Sequence, residues 1–486
     1  MGCATTPAPI TDKSGDADFA QFLETIRQDE KLPAIAASVI INGSIYAKAA
    51  VGIRKYGTDN WVTIDDKFLI GSCGKAFTAT LAAILIKEGS LKWDTTVKDF
   101  FPELEMHPRW ENITIQQLLS NRSGYVDDIN THLLPWEELE DLWNRNSPSA
   151  DIRFIYLKRA INHKPAHPPD KVIIYANSRF LIAGAMLEKA TKKTFEKLME
   201  EKLFLPLKLK SAGYGSPAAK EPIAQPHGHS KSAFYTPIRQ DLPDFIAPMG
   251  IVAISIGDWS KFVLFHLKAH QESHTRLLES SDLEKLHTPP NSAHWNYGMS
   301  YSLYLKTFDE LDATTINYAL AWFTEMKNDG NFLIGHKGQG SSFTAVVHAN
   351  PKTGNAILLM TNAKVDHIHL RRAAKAIKKH YASQTDFHRL YLCTRQIRQP
   401  SNISSHRRGP CKGSIRCHRT GLSNRHLTID DRRRPVARIG HLHRRGGSGR
   451  QRIPPRVGKR YRAVQRAAAG NIFYLYRGQS QFHPHW

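Results

Sequence analysis

The sequence predicts an α+β fold, in which one antiparallel sheet is built from both ends of a domain and is flanked by helices. Strand-like runs surround Asn42-Gly43, a dipeptide that strongly favours a β-hairpin. Strand-like runs return between residues 296 and 362, and an amphipathic segment follows them. Between the two groups, from about Leu91 to Pro290, the apolar spacing is mostly helical, which predicts a largely helical inserted subdomain.

The remaining elements follow from local spacing. Residues 16–28 repeat apolar side chains at helical intervals, which predicts a first helix. The segment from Ser72 to Ile86 is apolar almost all round and stops at Gly89, so it predicts a buried helix that ends at glycine. A turn over 350–354 and a closing helix over 365–381 complete the domain. The strands predicted after the helical region are 296–305, 318–326, 332–338, 343–349 and 356–362.

The positive charge of the chain is concentrated at its C-terminal end. The 486 residues carry a net charge of +23, and +20 of it lies in residues 385–486, which contain 21 Arg and no Glu. This stretch is rich in Arg, His, Gly, Pro and Ser, so we expect a disordered basic tail. Such charge can attract nucleic acid or an anionic surface. No nucleic-acid-binding motif accompanies it, however, and the change in Lys:Arg usage favours a shifted reading frame or a fusion, so we expect no nucleic-acid partner.

The folded domain is predicted to span residues 17–384, after a flexible leader over 1–16. Gly2-Cys3 before a Thr/Pro-rich stretch resembles the mature start of a bacterial lipoprotein, with a lipid anchor on Cys3. The apolar signal that precedes such a cysteine is not in this chain. The same letters fit a myristoylation pattern, and a plain disordered leader stays open as well.

The cysteines predict neither a disulfide framework nor a metal site. Only Cys3 and Cys73 of the five cysteines precede residue 385. Cys393, Cys411 and the pair Cys417-His418 have a spacing that fits no standard zinc site. The 24 histidines are scattered and include no His-Glu-x-x-His, so a metal hydrolase is not expected and no cofactor is implied.

Ser72 and Lys75, in the stretch GSCGKAFTAT, are the first candidates for chemistry. Three residues apart at the first turn of a helix, they share one face, so the amine can reach the hydroxyl. A serine hydroxyl becomes a good nucleophile when a base takes its proton, and burial can lower the pKa of a lysine enough for that role. The alternative is an N-cap serine beside a surface lysine, but Lys75 lies in an apolar segment, where an unpaired ammonium is costly.

Two further short patterns carry polar groups that can reach a cleft. Tyr175 and Asn177 follow an apolar run, and their spacing lets both point the same way from an extended turn. His336 and Gly338 lie at a strand end, where glycine allows a close approach and a backbone N–H can face an oxyanion. Each pattern alone has a purely structural interpretation, a common tripeptide or a β-bulge.

Together, the three patterns resemble the signatures of the penicillin-recognising serine hydrolases: Ser-x-x-Lys, Tyr-x-Asn, and Lys-Thr-Gly or His-x-Gly, in that chain order. The family includes class C β-lactamases, low-molecular-mass D,D-peptidases, D-aminopeptidases and related esterases. The segments FLIGSCGKAFTATLAAILIKEGSLKWDTTVKDFFPEL and GHKGQGSSFTAVVHANPKTGNAILLMTN also look like family blocks, and the resemblance covers about residues 17–384. A literal Lys-Thr-Gly occurs at 352–354, but it falls in a predicted turn, so the histidine version is assigned to the site.

The resemblance implies a role for each residue. Ser72 would attack a carbonyl while Lys75 and Tyr175 share the duties of base and acid, and the backbone N–H groups of Ser72 and Gln339 would form the oxyanion hole. Asn177 would orient the substrate amide and Lys75. His336 would replace the usual lysine that faces the substrate carboxylate or the tyrosine, with a charge that is only partial near pH 7. The motif GQGSS departs from the more usual Gly-Gly-Thr-Pro-Gly, which leaves the pocket shape open.

Several functions remain compatible with these residues. The main expectation is an acyl-enzyme hydrolase acting on D-alanyl-D-alanine peptides or β-lactams, in the periplasm or tethered to a membrane outside the cytoplasm of a bacterium. The same machinery could act on small esters, or the fold could be kept by an inactive penicillin-binding pseudoenzyme. A Ser–His–Asp triad is not expected, because Ile70 stands where a nucleophile elbow needs glycine.

Overall fold

The fold is taken from a computed structural model. It describes residues 7–125, 136–221, 225–231, 235–238, 242–267, 277–290, 294–295, 313–327, 332–340 and 342–383. Its strands are β1 Ala34–Ile41, β2 Ser44–Gly52, β3 Phe68–Leu69, β4 Val172–Ile173, β5 Gly213–Tyr214, β6 Gly228–Lys231, β7 Tyr235–Ile238, β8 Val252–Ile254, β9 His294–Trp295, β10 Ala313–Tyr318, β11 Phe323–Lys327, β12 Phe332–Gln339, β13 Thr344–Asn350 and β14 Asn355–Thr361.

The helices lie mainly between the two groups of long strands. They are α1 Ala17–Asp29, α2 Lys75–Lys87, α3 Val97–Phe100, α4 Pro108–Glu111, α5 Ile115–Leu119, α6 Trp136–Asn144, α7 Ser149–Ala160, α8 Ser178–Thr191, α9 Phe195–Met199, α10 Pro217–Lys220, α11 Ala247–Gly250, α12 Ile256–Leu267, α13 Ser280–His287 and α14 His367–Ser383. Short 3-10 helices occupy Asp12–Ser14, Gly71–Gly74 and Asp244–Ile246, and a π-helical turn occupies Glu200–Phe204.

One antiparallel sheet joins the two ends of the domain. Its seven strands are in the order β10-β11-β12-β13-β14-β1-β2. The link between early and late strands is the pairing of β1 with β14, in which Ile35 lies opposite Thr361. The turn from β1 to β2 is made by Asn42 and Gly43, both with positive φ, as a tight hairpin turn requires. The predicted α+β fold, with a sheet built from both termini, is confirmed.

Helices cover both faces of this sheet. On one face, α1 and α14 pack against the sheet through side chains such as Phe19, Leu23, Leu370 and Ile377. On the other face, the apolar helix α2 lies at the centre of a larger core that also includes α8 and α12. Helix α2 is buried on almost every side, as its composition predicts, and the turn that precedes it packs against β12 and β13.

The inserted region is mostly helical in its described part, in agreement with the sequence. Small sheets tie it to the main unit: β8 lies between β3 and β5, and β4 pairs in parallel with β9. The short helices begin at side-chain caps, such as Thr96 for α3 and Thr114 for α5, whose hydroxyls accept backbone N–H bonds. No described helix has the length and apolar content that crossing a membrane requires.

The predicted strand over 318–326 is wrong in one respect: the structure breaks it between Tyr318 and Phe323. Ala319 donates to the carbonyl of Trp322 in a turn, and Ala321 takes the left-handed conformation with φ 62°. The whole turn is buried, and Leu320 donates to the carbonyl of Leu286. Tertiary packing therefore stabilises a turn in a segment that has no Gly, Pro or Asn to favour one.

The packed unit also begins earlier than residue 17. Ala8 is buried and donates to the carboxylate of Glu24, and Ser14 is buried beside the edge strand β2. Asp16 donates to the carbonyl of Lys48, so the described part of the predicted leader is fixed to the domain. Residues 1–6, which include Cys3, the predicted strand over 296–305 and the basic tail over 385–486 lie outside the described residues.

Candidate active site

The backbone around Ser72 is held by unusually close contacts between three chain segments. Ser72 lies in the 3-10 turn Gly71–Gly74, just before α2, and Gly71 has φ 50°. A methyl group on Gly338 of β12 would stand 1.8 Å from the carbonyl oxygen of Ile70 and 2.9 Å from the amide nitrogen of Ser72. Strand β12 can therefore reach the serine only because residue 338 is glycine.

Lys75 brings its amine to Ser72 from inside the core. The residue is fully buried, and Nζ lies 3.0 Å from Ser72 Oγ, 2.7 Å from Asn177 Oδ1 and 2.6 Å from the carbonyl oxygen of Met249. The amide and carbonyl oxygens can only accept hydrogen bonds. In the neutral amine, the two N–H bonds can serve those oxygens while the lone pair faces the serine hydroxyl. The contacts thus hold the Lys75 amine directly against the Ser72 hydroxyl.

Tyr175 and Asn177 approach the amine from the turn between β4 and α8. Asn177 precedes the first residue of α8 and accepts from Lys75, while the ring of Tyr175 lies 5.2 Å from Nζ, measured to its centroid. The electron-rich face of an aromatic ring attracts a cation at this distance. Phe180 provides a second ring at 5.3 Å, so two aromatic rings lie close to the amine.

His336 forms the opposite wall and is more deeply buried than the sequence suggests. It is 1% exposed, and its ring centroid lies 5.1 Å from that of Phe323 and 6.1 Å from that of Tyr175. Burial, reinforced by the nearby charge of Lys75, lowers the pKa of His336 to about 3. The imidazole is therefore neutral at pH 7, which corrects the expectation of a partial charge.

The tautomer of His336 follows from its neighbours. Nδ1 lies 2.7 Å from the carbonyl oxygen of Lys337, which can only accept, so Nδ1 carries the proton. Nε2 then presents a lone pair, 3.5 Å from the hydroxyl of Tyr318. At this position the structure therefore offers a neutral group that can accept a hydrogen bond.

The backbone of Gln339 faces the same edge. Gly340 donates to the carbonyl of Phe343, so the alternation of an antiparallel ladder makes Gln339–Thr344 a non-hydrogen-bonded pair. The N–H of Gln339 consequently points away from β13, toward the side of β11. Strand β11 does not extend as far as Gln339, because its pairing with β12 stops at Phe323 opposite Gly335. The side chain of Gln339 donates to the carbonyl oxygen of Val365, so the backbone N–H is the group of Gln339 that can face the cleft.

The Lys-Thr-Gly tripeptide at 352–354 lies elsewhere. It occupies the turn between β13 and β14, where Gly354 has positive φ and accepts from Gly43 of the β1–β2 hairpin. Lys352 and Thr353 are exposed there. The structure therefore separates this tripeptide from Ser72 and brings His336–Gly338 to the serine instead.

Sequence reasoning assigned no role to two parts of the site. The carbonyl of Met249 holds the Lys75 amine, and Gly250 lies so close that an added methyl would be 2.4 Å from the carbonyl oxygen of Gly71. The second is the aromatic wall of Tyr318 and Phe323. For Met249 and Gly250, the available sequence signal was the tripeptide Pro248-Met249-Gly250 before an apolar run. For the aromatic wall, no local sequence pattern marks the residues. Among the described residues, no cluster of His, Cys, Asp and Glu is arranged to hold a metal.

The arrangement matches a known family. A family model described as Beta-lactamase matches residues 19–382. Penicillin-binding protein 4 of Amycolatopsis lactamdurans is 28% identical over 258 residues, which make up 52% of this chain and 64% of that protein. Protein flp of Staphylococcus aureus strain MW2 is 21% identical over 357 residues, 72% of this chain and 64% of that protein. The chain thus spans just under two thirds of the length of these relatives.

Solved structures agree at the level of the fold. The octameric penicillin-binding protein homologue from Pyrococcus abyssi superposes with a TM-score of 0.59 at 18% identity, and the match covers 74% of this chain and 76% of that one. At this identity the likeness concerns the arrangement of helices and strands.

Proposed function

The chain belongs to the β-lactamase family, whose fold supports activity of the serine-hydrolase type, and on that basis we propose that it forms an acyl-enzyme on Ser72. One observation carries the proposal. The amine of Lys75 is fully buried 3.0 Å from the Ser72 hydroxyl, and acceptors that can only take N–H bonds occupy its other side. A buried lysine held in this way is suited to remove a proton from serine.

The proposed reaction has two halves. Ser72 Oγ attacks the substrate carbonyl as its proton passes to Lys75, and the N–H groups of Ser72 and Gln339 stabilise the oxyanion. The bond from the carbonyl carbon to the leaving nitrogen or oxygen then breaks, and the leaving group takes a proton from Tyr175 or Lys75. In the second half, water attacks the ester carbonyl and gives a proton to the base. That proton passes to Ser72 Oγ as the ester bond breaks, which releases the acid product and restores the serine hydroxyl and the free base.

For the substrate, we propose an amide in a D-alanyl-D-alanine peptide or a β-lactam. The family binds small molecules of these kinds, and a relative carries the name penicillin-binding protein 4. Peptides of this type lie outside the cytoplasmic membrane of bacteria. The proposal therefore includes an extracytoplasmic location, with a lipid on Cys3 as the tether.

A small ester is the second candidate, and the state of His336 favours it. A terminal carboxylate is best recognised by a cation, whereas the pKa of about 3 makes this histidine neutral at pH 7. The surrounding rings of Tyr175, Tyr318 and Phe323 are apolar as well. An uncharged leaving group can contact these rings without the desolvation cost that a carboxylate would incur.

The test is the intact mass of the full chain as a function of time after mixing with benzylpenicillin, beside Ser72→Ala. A lasting adduct on the wild type alone supports acylation followed by slow deacylation, as in a D,D-peptidase. Penicillin hydrolysed without a lasting adduct supports a β-lactamase. Release of p-nitrophenol from a short-chain ester, lost in Ser72→Ala, with no penicillin reaction and no D-alanine release, supports the esterase. No Ser72-dependent reaction of any kind on folded protein refutes the proposal.

A further inference from the structure

A buried arginine lies directly behind the turn that carries Tyr175 and Asn177. Arg179 is the second residue of α8 and is 0% exposed. Its Nη1 donates to the carbonyl oxygen of Ile174 and, at 2.9 Å, to Asn121 Oδ1, while Nε donates to Ser123 Oγ at 3.0 Å. The guanidinium therefore bonds both to the start of the Tyr-x-Asn turn and to the separate segment 121–123.

Asn121 completes the connection from the other side. Its side-chain oxygen also accepts from the amide of Ala176, at 3.2 Å, and its carbonyl oxygen accepts from the amide of Ile174, at 3.1 Å. Asn121 reaches this position with φ 58°, a left-handed conformation that asparagine tolerates better than most residues. The residues on both sides of Tyr175 are thus hydrogen-bonded to one asparagine, which Arg179 holds in place.

The same segment also holds the aromatic wall. Arg122 is fully buried and donates from Nη1 to the carbonyl oxygen of Tyr318, at 2.6 Å. Tyr318 in turn packs edge-on against Tyr175, with ring centroids 5.9 Å apart. The segment 121–123 therefore sets the position of Tyr175 twice, through its backbone and through its ring neighbour.

Burying a guanidinium costs free energy, and the hydrogen bonds of Arg179 offset that cost. A buried charge is tolerated when hydrogen bonds satisfy it, and the planar fork of arginine can bond several acceptors at fixed angles. The acceptors named above are neutral oxygens that belong to the turn and to the segment that supports it. Lysine would keep the charge but lose the fork geometry.

We propose that Arg179 is a positioning residue that fixes the turn bearing Tyr175 and Asn177 against the Lys75 amine, through Asn121 and Ser123. The proposal rests on the function proposed for Ser72. Arg179 acts through these neighbours rather than on the substrate. Because the Asn177 oxygen is 2.7 Å from the amine, a shift of the turn alters the direction of the Lys75 lone pair.

The test separates the rate of the chemistry from the amount of folded enzyme. The full chain is treated with a fluorophosphonate, which Ser72 attacks at phosphorus with displacement of fluoride, and the Ser72 adduct is followed by mass spectrometry. The amplitude counts competent molecules, and the rate constant reports the geometry of Ser72 and its base. A misplacement of about 1 Å lowers such a rate by about 100-fold, so Arg179→Lys is expected to react about 10- to 100-fold more slowly at full amplitude.

Arg153→Lys is the matched control. Arg153 is also fully buried, and it donates to Glu188 and to the carbonyl oxygen of Phe245. Glu188 is nine residues further along α8 than Arg179, which places it about 14 Å along the helix axis. The control is expected to lower the melting temperature while keeping the rate constant within about 3-fold of the wild type.

A second variant covers the case in which Arg179→Lys does not fold. Ser123→Ala removes the acceptor of Arg179 Nε, together with a longer hydrogen bond of 3.4 Å from the Tyr125 amide. It is expected to slow the reaction by a smaller factor, about 3- to 10-fold, at full amplitude. Rate constants unchanged in either folded variant, or reduced equally in Arg153→Lys, would overturn the inference while leaving the proposed function intact. A wild type that forms no Ser72 adduct would overturn both.

Discussion

Substituting Gly338 by alanine tests whether close backbone approach is what builds the site. The new methyl would lie 1.8 Å from the carbonyl oxygen of Ile70, and real methyl groups do not come closer than about 3.0 Å to such an atom. Strand β12 and the turn before α2 must therefore separate by more than about 1 Å, a displacement that costs about 100-fold in rate when it falls between reacting groups. Overpacking of this kind also costs about 1–3 kcal/mol of folding free energy.

Gly340→Ala is the control for this substitution. Gly340 comes two residues later, where an added methyl would meet only one side-chain atom, of Leu69, at 4.0 Å. Both variants are measured by the rate of Ser72 adduct formation and by thermal unfolding. We expect Gly338→Ala to lose at least about 100-fold in rate and Gly340→Ala to stay within about 3-fold. A Gly338→Ala protein with wild-type rate and melting temperature would refute the assignment of the His336–Gly338 strand end to the site.

Other predictions follow from the same geometry. Lys75→Met leaves the oxygens of Asn177 and Met249 without their N–H donor and removes the base, so we expect a loss of 10²- to 10⁴-fold in the rate of Ser72 adduct formation. The pKa of His336 is about 3 in the folded protein, below the value of about 6.5 in an unfolded chain. As the pH falls, the unfolded state therefore binds a proton first, and the folding stability that is present above pH 6.5 is lost progressively toward pH 3. Urea unfolding at pH 7.5 and 4.5 should show this loss, and His336→Gln should reduce it. Burial raises the pKa of the Cys73 thiol far above its usual range, so the thiolate should be absent and iodoacetamide should label Cys73 only after unfolding; labelling of the native protein at the rate of a free thiol would contradict this.

The parts of the fold that the sequence predicts well are those determined by local chemistry. Asn42-Gly43 makes its hairpin turn because both residues tolerate positive φ. Helix α2 ends near Gly89, which has φ 80°, and its apolar composition matches its burial. The Lys-Thr-Gly tripeptide at 352–354 lies in the turn that Pro351 and Gly354 predict, which is why it could be set aside as a motif.

The parts that could not be predicted depend on contacts between distant segments. The turn at residues 319–322 forms because Leu320 and Ala321 bond to Leu286 and Leu119, and nothing in its own sequence favours a turn. Met249 offers a backbone carbonyl to Lys75, and a backbone carbonyl is available at any residue type. The neutral state of His336 likewise comes from rings contributed by other strands and from a lysine on α2.

These contacts also explain why the three signatures act together only in the folded chain. Ser72 and Lys75 share one short segment, but Lys75 is buried at the N-terminal end of a helix, and its amine is hydrogen-bonded by Asn177 and Met249, both of which belong to the insertion. The cost of burying that amine is offset by segments that fold around it, so the Lys75 amine and the Ser72 hydroxyl become paired only when the insertion is in place. Damage to the insertion that leaves the main sheet intact should therefore abolish reaction at Ser72 before it unfolds the sheet.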